Sequence, residues 1–261
     1  MKQIIYDFGA NEGQNIDYYL KKSDLVIAVE ANPILAQKIS EKYKQYILEE
    51  KLLVFNNCLV DSSTSDRVDF YRHKTNSGLS QFSKPQKYLN DFEIIRVEPI
   101  TYQEIVSQVG KPYFVKIDLE GLDYVIYKTI IASGIIPTYL SFENGVSYTK
   151  KLLSENTIFK SYNIVSFYNY EKIYKKIEGR TAGPFSNDIK SPWLNKESIL
   201  KLYDMMPTTW FDVHLCIEDL DVKEIDFSYY KKDPNKVLAM KQAVPHWLRK
   251  LINTLRNKKP T

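Results

Sequence analysis

Cysteine and glycine are scarce in this sequence. The 261 residues include two cysteines, Cys58 and Cys216, and nine glycines. Two cysteines without a C-x-x-C pair or a Cys/His cluster support neither a disulfide framework nor a structural zinc site. The cysteine content therefore suits a reducing compartment, and we expect a cytoplasmic protein.

Long apolar runs are also missing. No uninterrupted apolar stretch approaches the roughly 18 residues that cross a bilayer. The first residues enter a strand-like segment without the basic and apolar regions of a secretion signal. We expect neither secretion nor a membrane span. The 44% of hydrophobic residues that are present suffice for one substantial core.

Positive charge is concentrated at the end of the chain. The formal net charge is +4, but residues 231–261 hold nine Lys or Arg against one Asp, so residues 1–230 carry a net −4. A nucleic-acid-binding surface would interleave basic residues with aromatic ones across a folded face. Residues 1–145, which carry the motifs below, lack that pattern, and we expect no nucleic-acid partner.

Residues 4–13 predict a buried strand that ends in a glycine turn and opens a helix. Gly9 and Gly13 permit a tight turn and let a ligand approach the free N–H groups of the helix N-terminus. The interval between the two glycines holds Ala10, Asn11 and Glu12. This spacing departs from G-x-G-x-x-G and adds a carboxylate, which disfavours a diphosphate and hence a nicotinamide-dependent dehydrogenase.

A second predicted strand ends in Glu30, 23 positions after Asp7. A carboxylate at the tip of the second strand is typical of a group that accepts a hydrogen bond from a ribose hydroxyl. A ligand with adenosine at one end and an amino acid at the other fits both features. S-adenosylmethionine is the common molecule of that description.

Three segments resemble the FkbM-type methyltransferases: Asp7–Gly13, Val29–Pro33 and Val115–Gly121. The similarity runs from residue 3 to about residue 145, and the third segment is the most specific to the family. The resemblance implies an α/β fold of the Rossmann-like class I methyltransferase type, with a seven-stranded, mostly parallel sheet and helices on both faces. It also implies S-adenosylmethionine as the cofactor.

The resemblance assigns parts of the cofactor to parts of the chain. Residues 7–13 would hold the methionine end, Glu30 the ribose, and Asn57 or Cys58 would lie beside the adenine. The predicted cofactor-binding residues are Asp7, Gly9, Ala10, Asn11, Gly13, Glu30, Ala31, Asn32, Asn57, Cys58 and Asp118.

Apolar runs alternate with helical stretches up to about residue 145, which favours a largely parallel sheet. The predicted strands are 3–8, 25–30, 52–57, 113–118, 138–143, 162–167 and 210–216. Right-handed crossovers bring the C-terminal ends of parallel strands to one edge, where ligands bind. We expect one domain over residues 1–216, acceptor-site insertions at 61–98 and 170–208, and a basic extension at 217–261.

Methyl transfer to a hydroxyl requires positioning and a base. Asp118 is the strongest candidate because it ends an apolar strand, where a carboxylate is hard to explain by packing. Glu120 is equally suited to the first turn of the next helix. His73, in the polar insertion, and His214, in a predicted strand, are further candidates, although a lone strand histidine is more often a core residue.

Asp118, Glu143 and Asn144 form a second possible constellation of oxygen ligands at two strand ends. Such groups suit a divalent ion such as Mg²⁺, but they would equally hydrogen-bond an acceptor directly. We favour the second role and expect no metal requirement. Strand alternation turns Lys116 away from Ile117, and we expect this lysine to pair with one of the nearby acids.

Residues 244–259 predict an amphipathic helix with basic residues beside its apolar face. This helix would either contact an anionic membrane peripherally or pack on its own domain or on a second copy in a homo-oligomer, and packing is favoured.

These patterns predict an S-adenosylmethionine-dependent O-methyltransferase. By the resemblance, its acceptor is a sugar hydroxyl of a surface glycan or of a glycan precursor. A hydroxyl of a polyketide or another small molecule is the first alternative. The second alternative is a non-catalytic, cofactor-binding scaffold that attaches to the membrane through its tail.

Overall fold

The structure is a computed structural model that describes residues 2–64, 66–145, 148–166, 184–189, 191–205 and 211–220. Its strands are β1 Ile4–Phe8, β2 Leu25–Val29, β3 Leu52–Phe55, β4 Cys58–Val60, β5 Val68–His73, β6 Phe92–Val97, β7 Pro99–Thr101, β8 Phe114–Ile117, β9 Tyr139–Glu143, β10 Ser161–Ser166 and β11 Phe211–Cys216. The helices are α1 Ile16–Tyr19, α2 Pro33–Lys42, α3 Lys44–Leu48, α4 Tyr102–Val109, α5 Asp123–Ser133, α6 Thr149–Glu155 and α7 Lys196–Met205.

Seven strands form one sheet in the order β10-β11-β9-β8-β1-β2-β3. Neighbouring strands from β3 to β9 run parallel, whereas β11 lies antiparallel between β9 and β10. This sheet, with one reversed strand inserted near its edge, is the Rossmann-like α/β fold of class I methyltransferases. The fold class predicted from the sequence is therefore confirmed.

Helices cover both faces of the sheet. One face is apolar along its whole length and packs against α4, α5, α6 and α7, with Tyr102, Ile126 and Leu202 among the buried side chains. The other face packs against α1 and α2 and against Phe185, whose ring stacks on Phe114 at 4.1 Å. None of the helices within the described residues is both long and apolar enough to cross a bilayer.

All seven predicted sheet strands are confirmed, with end points that differ by up to two residues. Two predicted end residues, Phe167 and Trp210, lie outside the described residues. The same is true of residues 170–183 in the second predicted insertion and of the predicted helix at 244–259.

The first insertion adds a layer beside the main sheet. β5 and β6 form an antiparallel hairpin from Val68 to Val97, and β4 pairs in parallel with β7 at the base of the insertion. The hairpin contains the short 3₁₀ turn Ser77–Leu79. Its position matters for the site because this turn contacts the loop that follows β1.

Candidate functional site

The loop after β1 is held tightly against the ends of the neighbouring strands. Gly9 donates its N–H to the carbonyl of Val29 at 3.0 Å, and Ala10 donates to the same oxygen at 3.1 Å. Gly9 has φ +82°, and a Cβ built on it would lie 1.9 Å from the backbone carbonyl oxygen of Asp118. Only glycine fits this position. The loop after β1 therefore packs directly against the backbone that follows β8, and this close packing depends on Gly9.

Glu30 is fixed beside this loop by two backbone N–H groups. Its Oε2 accepts from Asn11 at 2.7 Å, and its Oε1 accepts from Asn32 at 2.8 Å. The side chain is buried, and burial raises the pKa of Glu30 to about 7 even though the two N–H groups favour the charged form. Each carboxylate oxygen can accept a second hydrogen bond, so a hydroxyl can still bind here.

Asn32, Asn57 and Cys58 are further residues predicted at the adenosine end. Asn32 caps α2 by accepting the N–H of Ile34 at 3.1 Å, and Asn57 donates to the carbonyls of Glu98 and Pro99. The Cys58 thiol is buried, and burial together with the charge of Glu30 raises its pKa to about 12.

Asn56, which the sequence analysis missed, donates its amide to the carbonyls of Glu30 and Ala31. The signal that could have indicated it is its place immediately after β3, at the same sheet edge as Glu30.

Asp7 lies at the centre of the sheet and is fully buried. Within the described residues neither of its carboxylate oxygens has a partner in hydrogen-bonding geometry. Burial raises the pKa of Asp7 to about 6, against the charge of Lys116 and the nearby Asn15 amide, which both lower it. A buried carboxylate is costly unless its oxygens accept hydrogen bonds, so Asp7 is suited to meet a positively charged or hydrogen-bond-donating ligand.

Lys116 pairs with Asp118, as predicted. Its Nζ lies 2.6 Å from Asp118 Oδ2, and the lysine side chain is 4% exposed whereas that of Asp118 is 37% exposed. Asp118, Asp7 and Asp212 raise the pKa of Lys116 against the opposing effect of burial. Lys116 therefore stays charged, and Asp118 keeps a partly exposed carboxylate at the edge of the sheet.

Glu120 and Glu143 lie close to Asp118. One oxygen from each of the three carboxylates lies within 4.8 Å of the other two. At that separation two charges repel by about 3 kcal/mol at an effective dielectric constant of 20. Burial and the charges of Asp118 and Glu143 accordingly raise the pKa of Glu120 to about 9.

The structure thus joins two of the three weak metal candidates, Asp118 and Glu143, and adds Glu120. Asn144 directly follows Glu143, and its backbone N–H donates to the carbonyl of Phe211 at 2.9 Å. The three clustered carboxylates are equally suited to accept hydrogen bonds from the hydroxyl groups of an acceptor.

Asp212 is a site residue that was missed as a candidate from the sequence. It pairs with Glu143 across β9 and β11, it is 2% exposed, and its Oδ2 has no hydrogen-bond partner among the described residues. Burial raises its pKa well above the ordinary value, whereas Lys116 lowers it. Asp212 therefore extends the carboxylate cluster along the sheet, away from the loop that follows β1.

The two predicted catalytic histidines are not at the carboxylate cluster. His214 lies inside β11, 2% exposed, with its ring parallel to that of Phe114, and burial lowers its pKa to about 3. It is a neutral core residue two register pairs further along β11 than Asp212. His73 lies in the hairpin, where its Nδ1 accepts the backbone N–H groups of Thr75 and Asn76.

Several solved structures with low similarity to this chain are methyltransferases. No family model matches the sequence, and no curated protein matches it. Among solved structures, an FkbM methyltransferase from Methylobacillus flagellatus is 17% identical with a TM-score of 0.32, covering 55% of this chain and 32% of its own. The match therefore spans about a third of that methyltransferase.

Two further structures match over more of their length. An rRNA methylase from Streptococcus thermophilus is 9% identical with a TM-score of 0.41, covering 83% of this chain and 87% of its own. The StiE O-methyltransferase, residues 961–1257, is 11% identical with a TM-score of 0.40, and the match covers 85% of this chain and 70% of that structure.

Proposed function

We propose that the protein is an S-adenosylmethionine-dependent methyltransferase that methylates a hydroxyl group. The observation that carries this proposal is the acidic character of the ligand-binding edge of the sheet. Asp7, Glu30 and Asp118 lie around the Gly9 loop, and Lys116 is the lone buried lysine or arginine among the described residues. Such an edge attracts a cationic ligand and repels a diphosphate.

The chain's own residues fit this cofactor. At neutral pH S-adenosylmethionine carries a net charge of about +1, and it supplies an electrophilic methyl group on its sulfonium. The amino acid end of the cofactor would lie at the loop that contains Gly9, where the buried Asp7 would offer it a carboxylate. Glu30 retains acceptor capacity for the ribose hydroxyls. Cys58 interacts electrostatically with Glu30, and it and the preceding Asn57 would lie beside the adenine.

The acceptor would lie beyond the cofactor, over Asp118, Glu120, Glu143 and Asp212. Carboxylates at this edge accept hydrogen bonds from hydroxyls, and Asp118, partly exposed and held by Lys116, is the group we assign to receive the hydroxyl proton. Neutral polyhydroxy acceptors suit this acidic surface better than anionic ones. A sugar hydroxyl of a glycan or its precursor is therefore our first choice, in line with the family resemblance of the sequence.

Two alternatives use the same site. A polyketide or other small-molecule hydroxyl would meet the same carboxylates, and a screen of both acceptor classes separates these functions. A non-catalytic scaffold would bind the cofactor but would leave every acceptor unmethylated.

The first test is calorimetric titration with S-adenosylhomocysteine. We expect the wild type to bind and Glu30→Ala to bind about 10- to 100-fold more weakly, because the loss of a charged acceptor costs about 1.5–3 kcal/mol. Glu49→Ala, a substitution of an exposed glutamate beyond α3, serves as the matched control and should bind like the wild type. Failure of the folded wild type to bind would contradict the proposed cofactor.

The second test is the pH dependence of cofactor binding. Asp7 and Glu30, with pKa values of about 6 and about 7 in the folded protein, become negatively charged as the pH rises from 5 to 8. We therefore expect affinity for the cationic S-adenosylmethionine to rise over this range by about tenfold or more relative to the neutral S-adenosylhomocysteine. Calorimetry with both ligands at each pH measures the ratio.

The same two carboxylates should make the ligand-free protein less stable as the pH rises, whereas cofactor affinity increases. Because their folded-state pKa values are raised, their contribution is fully present below pH 4 and is lost as the pH rises through 6 to 7. The loss approaches about 3 kcal/mol per group. Urea unfolding at pH 5 and pH 8 measures this change. Relative to the Asp7→Asn variant, the wild type should lose unfolding free energy between pH 5 and pH 8. The same pH dependence in both proteins would contradict the prediction.

A further inference from the structure

The hairpin insertion contacts the cofactor loop at a defined hydrogen bond. The Ser77 hydroxyl donates to Oδ1 of Asn11 at 3.0 Å, across 66 residues of sequence, and the contact is partly buried. Asn11 has φ +49°, a left-handed conformation that is uncommon outside glycine and that needs support from its surroundings. Ser77 supplies part of that support from outside the loop.

Asn11 also contacts Glu30. The backbone N–H of Asn11 donates to Oε2 of Glu30 at 2.7 Å, and the other carboxylate oxygen accepts from Asn32. The orientation of the Glu30 carboxylate therefore depends on the position of Asn11. A displacement of Asn11 would remove one of the two N–H groups that hold this carboxylate.

His73 builds the turn that presents Ser77. Its Nδ1 accepts the backbone N–H groups of Thr75 at 3.2 Å and Asn76 at 3.1 Å, so the ring proton must lie on Nε2. Asn76 in turn accepts the N–H of Gly78, which fixes the 3₁₀ turn. The His73 ring packs nearly perpendicular to the ring of Phe92 on the opposite strand, with centroids 4.9 Å apart.

We propose that this hairpin is part of the cofactor site and that Ser77 and His73 are positioning residues for Glu30. His73 holds the turn, the turn presents the Ser77 hydroxyl, and Ser77 holds Asn11, whose N–H orients the carboxylate toward a ribose. The inference rests on the proposed function because it assigns Glu30 to the cofactor. It gives His73 a role in cofactor binding in place of the acid–base role expected from the sequence.

The test is calorimetric titration of the full chain with S-adenosylhomocysteine. Loss of one neutral hydrogen bond corresponds to a change of about three- to tenfold in affinity, and we expect Ser77→Ala to weaken binding by that factor. Ser62→Ala removes an exposed hydroxyl of the same insertion that donates to its neighbour Asp61, and this control should bind like the wild type. Thermal unfolding establishes that both variants remain folded.

His73 is tested by a pair of substitutions. His73→Leu removes the acceptor at Nδ1 and should weaken binding as Ser77→Ala does. His73→Asn places a carbonyl oxygen near the position of Nδ1 and should retain most of the affinity. Equal losses in both variants would indicate that the ring only fills space against Phe92, and this outcome would overturn the role of His73.

A double-mutant cycle tests whether Ser77 acts through Glu30. If it does, Ser77→Ala should change affinity much less in the Glu30→Gln background than in the wild type. Unchanged binding by Ser77→Ala, or an equal loss in both backgrounds, would overturn the proposal while leaving the proposed function intact. Failure of the wild type to bind S-adenosylhomocysteine would overturn both.

Discussion

Gly9→Ala should abolish cofactor binding and destabilise the protein. The new Cβ would lie 1.9 Å from the carbonyl oxygen and 2.9 Å from the carbonyl carbon of Asp118, which are backbone atoms that cannot rotate away. At φ +82° alanine also pays the left-handed penalty of about 1 kcal/mol. To relieve this clash, β1 and β8 would have to separate at the edge where the cofactor would bind. We expect a loss of about 3 kcal/mol or more in unfolding free energy.

Urea unfolding and titration with S-adenosylhomocysteine measure the two effects, and we expect affinity to fall by more than 100-fold. Gly134→Ala is the matched control, because Gly134 also has a left-handed φ, +70°, but a Cβ there meets nothing within 4 Å. It should cost about 1 kcal/mol and leave binding unchanged. Equal destabilisation by the two substitutions, with binding retained in both, would show that the loop at Gly9 does not hold the cofactor.

The sheet could be predicted from the sequence because its strands are short apolar runs separated by helical stretches. Each parallel strand ends where a polar residue begins, so Glu30 and Asp118 could be assigned to one edge without knowledge of any contact. Strand alternation also predicted that Lys116 would pair with one of the nearby acids, and the structure shows that this acid is Asp118. These features depend on neighbours in sequence.

The features that could not be predicted depend on contacts between residues distant in sequence. Asp212 joins the carboxylate cluster only because β11 inserts antiparallel between β9 and β10, and no local pattern specifies that position. The contact between Ser77 and Asn11 spans 66 residues. For His214, the sequence predicted a strand but could not tell which register the strand adopts, and the register places the ring in the core beside Phe114.

Lys116→Met should cause the other large effect. Lys116 is 3% exposed, forms a 2.6 Å ion pair with Asp118, and also interacts electrostatically with Asp7 and Asp212. Methionine keeps much of the side-chain volume but leaves buried carboxylates without their cation. Breaking a buried ion pair from one side costs about 3–5 kcal/mol, and we expect a loss of that size in unfolding free energy at pH 8. Urea unfolding measures it.

The loss should be smaller at pH 5, because Lys116 lowers the pKa values of Asp7 and Asp212 and its removal lets these acids take up protons instead of remaining as bare charges. Lys51→Met, which breaks the exposed pair with Glu49 at 2.9 Å, should leave the unfolding free energy nearly unchanged at either pH, because solvent screens an exposed ion pair. A pH-independent loss in Lys116→Met would indicate that the lysine contributes by packing. A loss confined to high pH would identify Lys116 as the charge that allows so many carboxylates to gather at this edge.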